Sequence, residues 1–245
     1  MKIVLDGMGG DNAPQATVEG AVQAAQEFGA QVIIVGIKDV LERELSKYGS
    51  HTPNIEIHHA SEIIDMRDAP ALSVRRKKDS SINVAVKLVK EGKGAALVGA
   101  GNTGAAVCAT SLYFRLLKGV ERPGIAIVVP TLKGASLIID VGANIDPKPA
   151  HLFQYGIMGD VYSRIILKKF NPTVGLLNIG QEASKGTGFI KKAYDFLSKS
   201  RLNFIGNIEG RDLFNKVRCN SLRWFCGQCG PKGQRKPGGE FKRLA

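Results

Sequence analysis

Lys2-Ile3-Val4-Leu5-Asp6-Gly7-Met8-Gly9-Gly10-Asp11-Asn12-Ala13-Pro14 opens the chain with a short apolar run, a glycine-rich loop and a proline. The run over 3–5 reads as a buried strand. Its glycines allow a tight turn and a close backbone approach to a ligand, and Pro14 suits the start of a helix. A helix over 14–28 follows, with Val18, Ala21, Val22, Ala25 and Phe28 on one face. Strand, loop and helix in this order are the first half of a βαβ unit.

The alternation continues outward from there. Runs rich in Val, Ile, Leu and Ala at 32–35, 55–57, 95–98, 125–129, 137–139 and 174–177 read as buried parallel strands, with helical spacing between them. The fold class is α/β, three layers, with a mostly parallel sheet. Ligands in such sheets bind beyond the carboxyl ends of the strands.

Four of those ends, expected on one edge of one sheet, are rich in glycine and polar residues. They are the opening loop, with Asp6, Gly9, Gly10 and Asp11; Gly99-Ala100-Gly101-Asn102-Thr103-Gly104; Asp140-Val141-Gly142-Ala143-Asn144, followed by Lys148; and 178–186, which holds Lys185. Each alone is a turn with a helix cap. Together, with their amides and a lysine, they point to an anionic ligand. Arg75-Arg76-Lys77-Lys78 precede Ser80 and Ser81, either of which suits the cap of a helix over 84–89. The four cations read as a solvated loop or as a docking and phosphate-contact surface.

Composition narrows the class. With 245 residues, 44% hydrophobic, the chain can bury a core as one large domain or two small ones. Met1 leads directly into the first strand, so no signal peptide is expected and the protein reads as cytoplasmic. The uncharged stretch 94–114 holds four glycines and Asn102, and divides into strand, loop and helix rather than a membrane span. His51, His58, His59 and His151 have no metal-ligand spacing. Neither a metal nor a cofactor is expected.

The formal charge of +12 is lopsided: the last 30 residues hold eight basic residues against one acid, Glu240, and so carry +7 of it. Cys219, Cys226 and Cys229 crowd into the same segment, while Cys108 sits alone in the body. The tail therefore raises a zinc-ribbon or nucleic-acid reading. Gly99, Gly101 and Gly104 raise another, the GxGxxG of an NAD-dependent dehydrogenase. That motif needs an acid about 20 residues on, where the next strand ends Val128-Val129-Pro130-Thr131-Leu132-Lys133. NAD is disfavoured.

The segments Leu5-Asp-Gly-Met-Gly-Gly-Asp11, Lys77-Lys-Asp-Ser-Ser81, Ala100-Gly-Asn-Thr-Gly104, Asp140-Val-Gly-Ala-Asn144 and Gly175-Leu-Leu-Asn-Ile-Gly180, in this order, resemble the bacterial phosphate acyltransferase family. The resemblance runs from residue 1 to about Phe214. It implies a fold related to phosphate acetyltransferase and isocitrate dehydrogenase, a homodimer, and attack of inorganic phosphate on the thioester of an acyl carrier protein. The product would be acyl phosphate for a downstream acyltransferase. The lysine matching Lys185 is regarded as catalytic in the family, and the resemblance also implies peripheral membrane association. Acyl carrier proteins are acidic, so Arg75, Arg76, Lys77 and Lys78 could assist docking.

The domain expected on this basis spans 1–215, C-terminally incomplete, and 216–245 is an aberrant tail. Synonymous codons for Arg218 through Gly233, beginning CGA TGT AAT TCT, read one base later as Asp-Val-Ile-Leu-Cys-Asp-Gly-Phe-Val-Gly-Asn-Val-Val-Leu-Lys. That translation has a strand and a glycine-rich loop, and resembles the family's next motif. A frame slip near Asn215 or Lys216 is the expectation. The CxxC and the nucleic-acid reading are then accidents, and the chain is expected to be impaired.

Overall fold

The computed structural model describes residues 1–49, 54–131, 134–142, 144, 146–182, 186–210 and 212, and the backbone of 219–223. It has two compact units, Met1–Pro123 and Gly124–Ala245.

The first unit runs β1 (Lys2–Asp6), α1 (Gln15–Phe28), β2 (Gln31–Gly36), α2 (Lys38–Leu45), β3 (Ile55–His59), α3 (Pro70–Arg76), α4 (Ser81–Lys90), β4 (Ala96–Val98) and α5 (Thr103–Phe114). Its sheet is wholly parallel, in the order β3-β2-β1-β4. Successive side chains of a strand point to opposite faces. Thus Val4, Ile33 and Val35 pack on Val84, Ala85 and Leu88 of α4. Val32 and Ile34 turn the other way, onto Val18, Ala21 and Val22 of α1 and Leu41 of α2. Covering both faces is what makes these strands read as unbroken apolar runs. Complete burial of Val4, Ile34 and Val35 contributes about 1.5–3 kcal/mol each relative to exposure. Phe28, expected on the buried face of α1, is 79% exposed; the helix outruns the surface that covers it.

The second unit runs β5 (Ala126–Thr131), β6 (Gly134–Ile139), α6 (Pro149–Ile165), β7 (Thr173–Leu177), α7 (Gly188–Ser198), β8 (Asn203–Ile208) and β9 (Cys219–Arg223). The sheet order is β5-β6-β9-β7-β8. Leu137, Ile139, Val174 and Leu176 bury against Leu152 and Tyr155 of α6 and Ile190, Ala193 and Leu197 of α7.

Two expectations change here. The runs at 125–129 and 137–139 do form strands, but β5 pairs antiparallel with β6. Only two residues separate them, and a parallel pair needs a crossover of a dozen residues or more. The glycine-rich loops divide between two sheets instead of sharing one edge. Cys219–Arg223 forms β9, parallel between β6 and β7. Its sequence, Cys-Asn-Ser-Leu-Arg, is polar for a central parallel strand, which is ordinarily rich in Val, Ile and Leu.

Candidate functional site

The first sheet changes direction between β1 and β4: the chain steps from β1 out to β2 and β3, then returns to the other side of β1. Such a reversal opens a crevice at the carboxyl ends of the strands. The two loops leaving it, after β1 and after β4, touch through their glycines. A β-carbon on Gly9 would stand 3.0 Å from both Cα and N of Gly101, and Gly10 has φ +115°. Neither position accepts a side chain without displacement of main chain.

Asp6, at the end of β1, is 4% exposed. Its Oδ1 accepts the Met8 amide at 3.2 Å, and the Gly9 amide and Ser81 hydroxyl also bond to the carboxylate. Burial pushes this carboxyl above its ordinary range, while those three hydrogen bonds pull it back down. Thr17 holds the same loop from the helix side, its hydroxyl donating to the Gly7 carbonyl at 2.7 Å. Asp6, Ile64, Gly99, Gly101 and Thr103 line a cavity of about 80 Å³.

Asn102 is the N-cap of α5. Its Oδ1 accepts the Ala105 amide at 3.0 Å, and its Nδ2 donates to the carbonyls of Asp65, Met66 and Asp68 at 3.1, 3.4 and 3.2 Å. It therefore clamps the 63–68 segment beside the crevice. Gly104 lets α5 approach α3, since a β-carbon there would lie 2.7 Å from Pro70 Cγ. Thr103 is exposed at the start of α5. Lys77 donates to the Ile63 carbonyl at 2.8 Å and pairs with Asp68 at 2.6 Å. It is a second tie on 63–68. Arg75, Arg76 and Lys78 are exposed, with both arginines in the last turn of α3, where cations suit the helix dipole. Ser80 occupies the N-cap position of α4, but its side chain makes no capping bond. Together 8–11 and 63–67 flank a cleft of about 360 Å³. The part played by 63–68 and by Ser81 was not visible in the sequence, because it depends on contacts made across loops.

In the second unit, Asp140 follows β6 with φ +68°, a strained setting for a non-glycine residue. It is 2% exposed. Its Oδ1 accepts Asn144 Nδ2 at 3.0 Å, and Asn144 Nδ2 also donates to the Tyr155 hydroxyl at 2.8 Å. Burial pushes the Asp140 carboxyl up, opposed by the Asn144 hydrogen bonds and the nearby His151. Lys148 is exposed at the N-cap of α6, with its amide donating to His151 Nδ1 at 3.0 Å. Beyond β7, Gln181 donates to Asp212 at 2.9 Å and Asn207 donates to the Glu182 carbonyl at 2.9 Å. Lys185 lies outside the described residues. The structure thus brings Asp6, Gly9, Gly10, Gly101 and Asn102 into one neighbourhood, and Asn144 joins Asp140 and Tyr155 in another.

A dinucleotide fingerprint requires a βαβ unit within one parallel sheet. Here β4 and α5 are followed by β5, which belongs to the other sheet and runs antiparallel to its neighbour. Gly99, Gly101 and Gly104 serve a different turn. Of the tail cysteines, Cys219 begins β9, and Cys226 and Cys229 lie outside the described residues.

Several known proteins are similar to this chain. A phosphate acyltransferase from Geotalea uraniireducens is 47% identical over 217 residues, covering 89% of this chain and 63% of that protein. Proteins of the same name from Geobacter sulfurreducens and Desulfitobacterium hafniense are 48% and 49% identical, over 88% and 86% of this chain and 62% and 63% of theirs. The chain thus spans under two thirds of the length of these relatives. Among solved structures, a phosphotransacetylase from Streptococcus pyogenes superposes with TM-score 0.63 at 18% identity, over 91% of this chain and 76% of that one. A branched-chain phosphotransacylase from Enterococcus faecalis V583 gives 0.59 at 15%, over 91% and 79%. At such identities the likeness carries the fold. The model of the fatty acid synthesis protein family matches residues 1–218, and the chain belongs to that family.

Proposed function

We propose that the protein transfers a fatty acyl group from acyl carrier protein to inorganic phosphate, giving acyl phosphate that a downstream acyltransferase consumes in phospholipid synthesis. The observation that carries this reading is the 47% identity over 217 residues to a protein named phosphate acyltransferase. In the reaction a phosphate oxygen attacks the thioester carbonyl, the tetrahedral oxyanion collapses, and the carbon–sulfur bond breaks. The proton given up by phosphate ends on the departing thiol. Holding the nucleophile and stabilising the oxyanion are the tasks left to the protein, and neither requires a covalent intermediate. In the first unit, amides at the start of α5 supply donors for them; in the second, Lys148 and Lys185 are the lysines assigned to supply positive charge. Arg75, Arg76 and Lys78 offer an exposed basic surface to an acidic carrier, whereas Lys77 and Asn102 act by holding 63–68. A cytoplasmic homodimer, associating peripherally with the membrane, belongs to the same reading.

Residues 216–245 are, on this account, an out-of-frame translation. Three points support that. The family match stops at residue 218, the composition turns basic and cysteine-rich there, and codons chosen among the synonyms for 218–233 can be read one base later as apolar strand residues in place of the polar β9. The intact protein would place Asp-Val-Ile-Leu in the middle of the second sheet, and the 245-residue chain is impaired by their loss. Sequencing the DNA for 205–245 tests the slip. Incubating the frame-restored protein with acyl carrier thioester and phosphate, and trapping acyl phosphate with hydroxylamine, tests the activity: a phosphate-dependent hydroxamate supports it, and free fatty acid as the sole acyl product contradicts it.

A further inference from the structure

We propose that the cleft between the 8–11 and 63–67 loops binds the flexible arm of the acyl donor, a thiol-terminated chain bearing amides and ending in a phosphodiester. This deepens the acyl-transfer reading and rests on it. The cleft, about 360 Å³, lies within the range of small-ligand sites. Met8, Ile63, Ile64 and Met66 give it apolar walls, and Asp11 and Asp65 add acceptors. Methionine is adaptable and suits a chain with many rotatable bonds. Ile64 also lines the smaller cavity beside Gly99, Gly101 and Thr103. The two spaces therefore share a wall residue, and an arm entering the cleft has its reactive end directed to the start of α5.

Charge decides what the cleft accepts. Two carboxylates, Asp11 and Asp65, stand on its walls against one guanidinium, Arg67, and Asp6 is buried in the adjoining cavity. A free phosphate dianion is repelled by that arrangement, while amide N–H groups find acceptors in it. Arg67 pairs through Nε with Asp65 Oδ1 at 3.2 Å and is 93% exposed in its side chain, so its terminal N–H groups face the phosphodiester at the outer end of the arm. The wall itself is fixed from outside the cleft, by Asn102 on the carbonyls of Asp65, Met66 and Asp68 and by Lys77 on Ile63 and Asp68. The arrangement is held ready before a ligand arrives, which lowers the ordering cost of binding.

The test is titration calorimetry on the full chain with the methyl phosphodiester of 4′-phosphopantetheine, which keeps the diester by which acyl carrier proteins bear this arm, and separately with inorganic phosphate. Arg67→Glu removes the outer contact at an exposed position, and Met66→Trp narrows the cleft. Both variants should melt like the parent and lose about tenfold or more in affinity for the arm, with phosphate binding unchanged. Absence of binding by the parent, an affinity for the arm within twofold in both variants, or a parallel loss of phosphate binding would overturn the proposal. Binding needs no turnover, so arm binding by this chain, with no acyl phosphate formed by the frame-restored protein, would leave this site standing and remove the acyl-transfer reading.

Discussion

Gly9 and Gly101 lie backbone to backbone: a β-carbon built on Gly101 would stand 2.8 Å from the Cα of Gly9. The loops after β1 and β4 can meet only because both residues lack side chains. Gly101→Ala should cost about 1–3 kcal/mol, the range for overpacking against atoms that cannot yield. Gly20 provides the contrast, since it sits within α1 with nothing inside 4 Å of an added β-carbon; Gly20→Ala should stabilise by about 0.5–1 kcal/mol. Urea midpoints of the two variants should move in opposite directions.

Asp6 gives the crevice a pH signature. Its folded carboxyl titrates above the ordinary 3.8 because it is buried. The folded state therefore binds more protons than the unfolded chain between that value and the raised one, and stability falls as pH rises through this window. Asp6→Asn removes this contribution. The stability of the variant relative to the parent should climb with pH above about 3.8 and then level off, as followed by denaturation across pH 3–8. A constant difference would mean that Asp6 is not perturbed.

Asn102 combines two tasks that substitutions can separate. Asn102→Asp keeps an acceptor for the Ala105 amide and loses the donor to 63–68, whereas Asn102→Ala loses both. The alanine variant should forfeit about 0.5–2 kcal/mol through the cap. Hydrogen exchange at residues 65–68 should accelerate in both, while exchange in the first turn of α5 accelerates in Asn102→Ala alone.

The basic cluster divides in the same manner. Lys77→Met breaks the partly exposed pair with Asp68 and the bond to the Ile63 carbonyl, and should lower the melting temperature only slightly. Reversing Arg75, Arg76 and Lys78 together leaves that tie intact, so the melting temperature should hold. Association with acyl carrier protein should then slow, and lose its dependence on salt.

Much of the first unit is legible from the run of residues 2–28, because strands covered on both faces and an amphipathic helix write their period directly into the sequence. Less was legible where pairing depends on distance along the chain. The two residues between β5 and β6 forbid a parallel pair, yet an apolar run looks the same in either orientation. Strand β8 escaped notice because Gly206 and Asn207 interrupt its apolar residues. The glycine loops after β1 and β4 lie where the first sheet reverses direction, but a sequence alone does not distinguish a ligand contact from a clamp. Asn102, expected at the substrate, and Lys77, expected at a docking or phosphate-contact surface, also hold 63–68. The left-handed backbone of Asp140 is equally invisible before folding, as it depends on packing around the residue.

The account rests most directly on acyl phosphate formation by two proteins assayed side by side: the 245-residue chain, and the product of the same gene with the reading frame restored before residue 216. Each receives acyl carrier thioester and inorganic phosphate, and hydroxamate is measured after trapping. The restored protein is predicted to form acyl phosphate in proportion to phosphate, and the 245-residue chain to form little or none. Equal turnover by the two would contradict the frame slip, and a restored protein that forms none would contradict the proposed function.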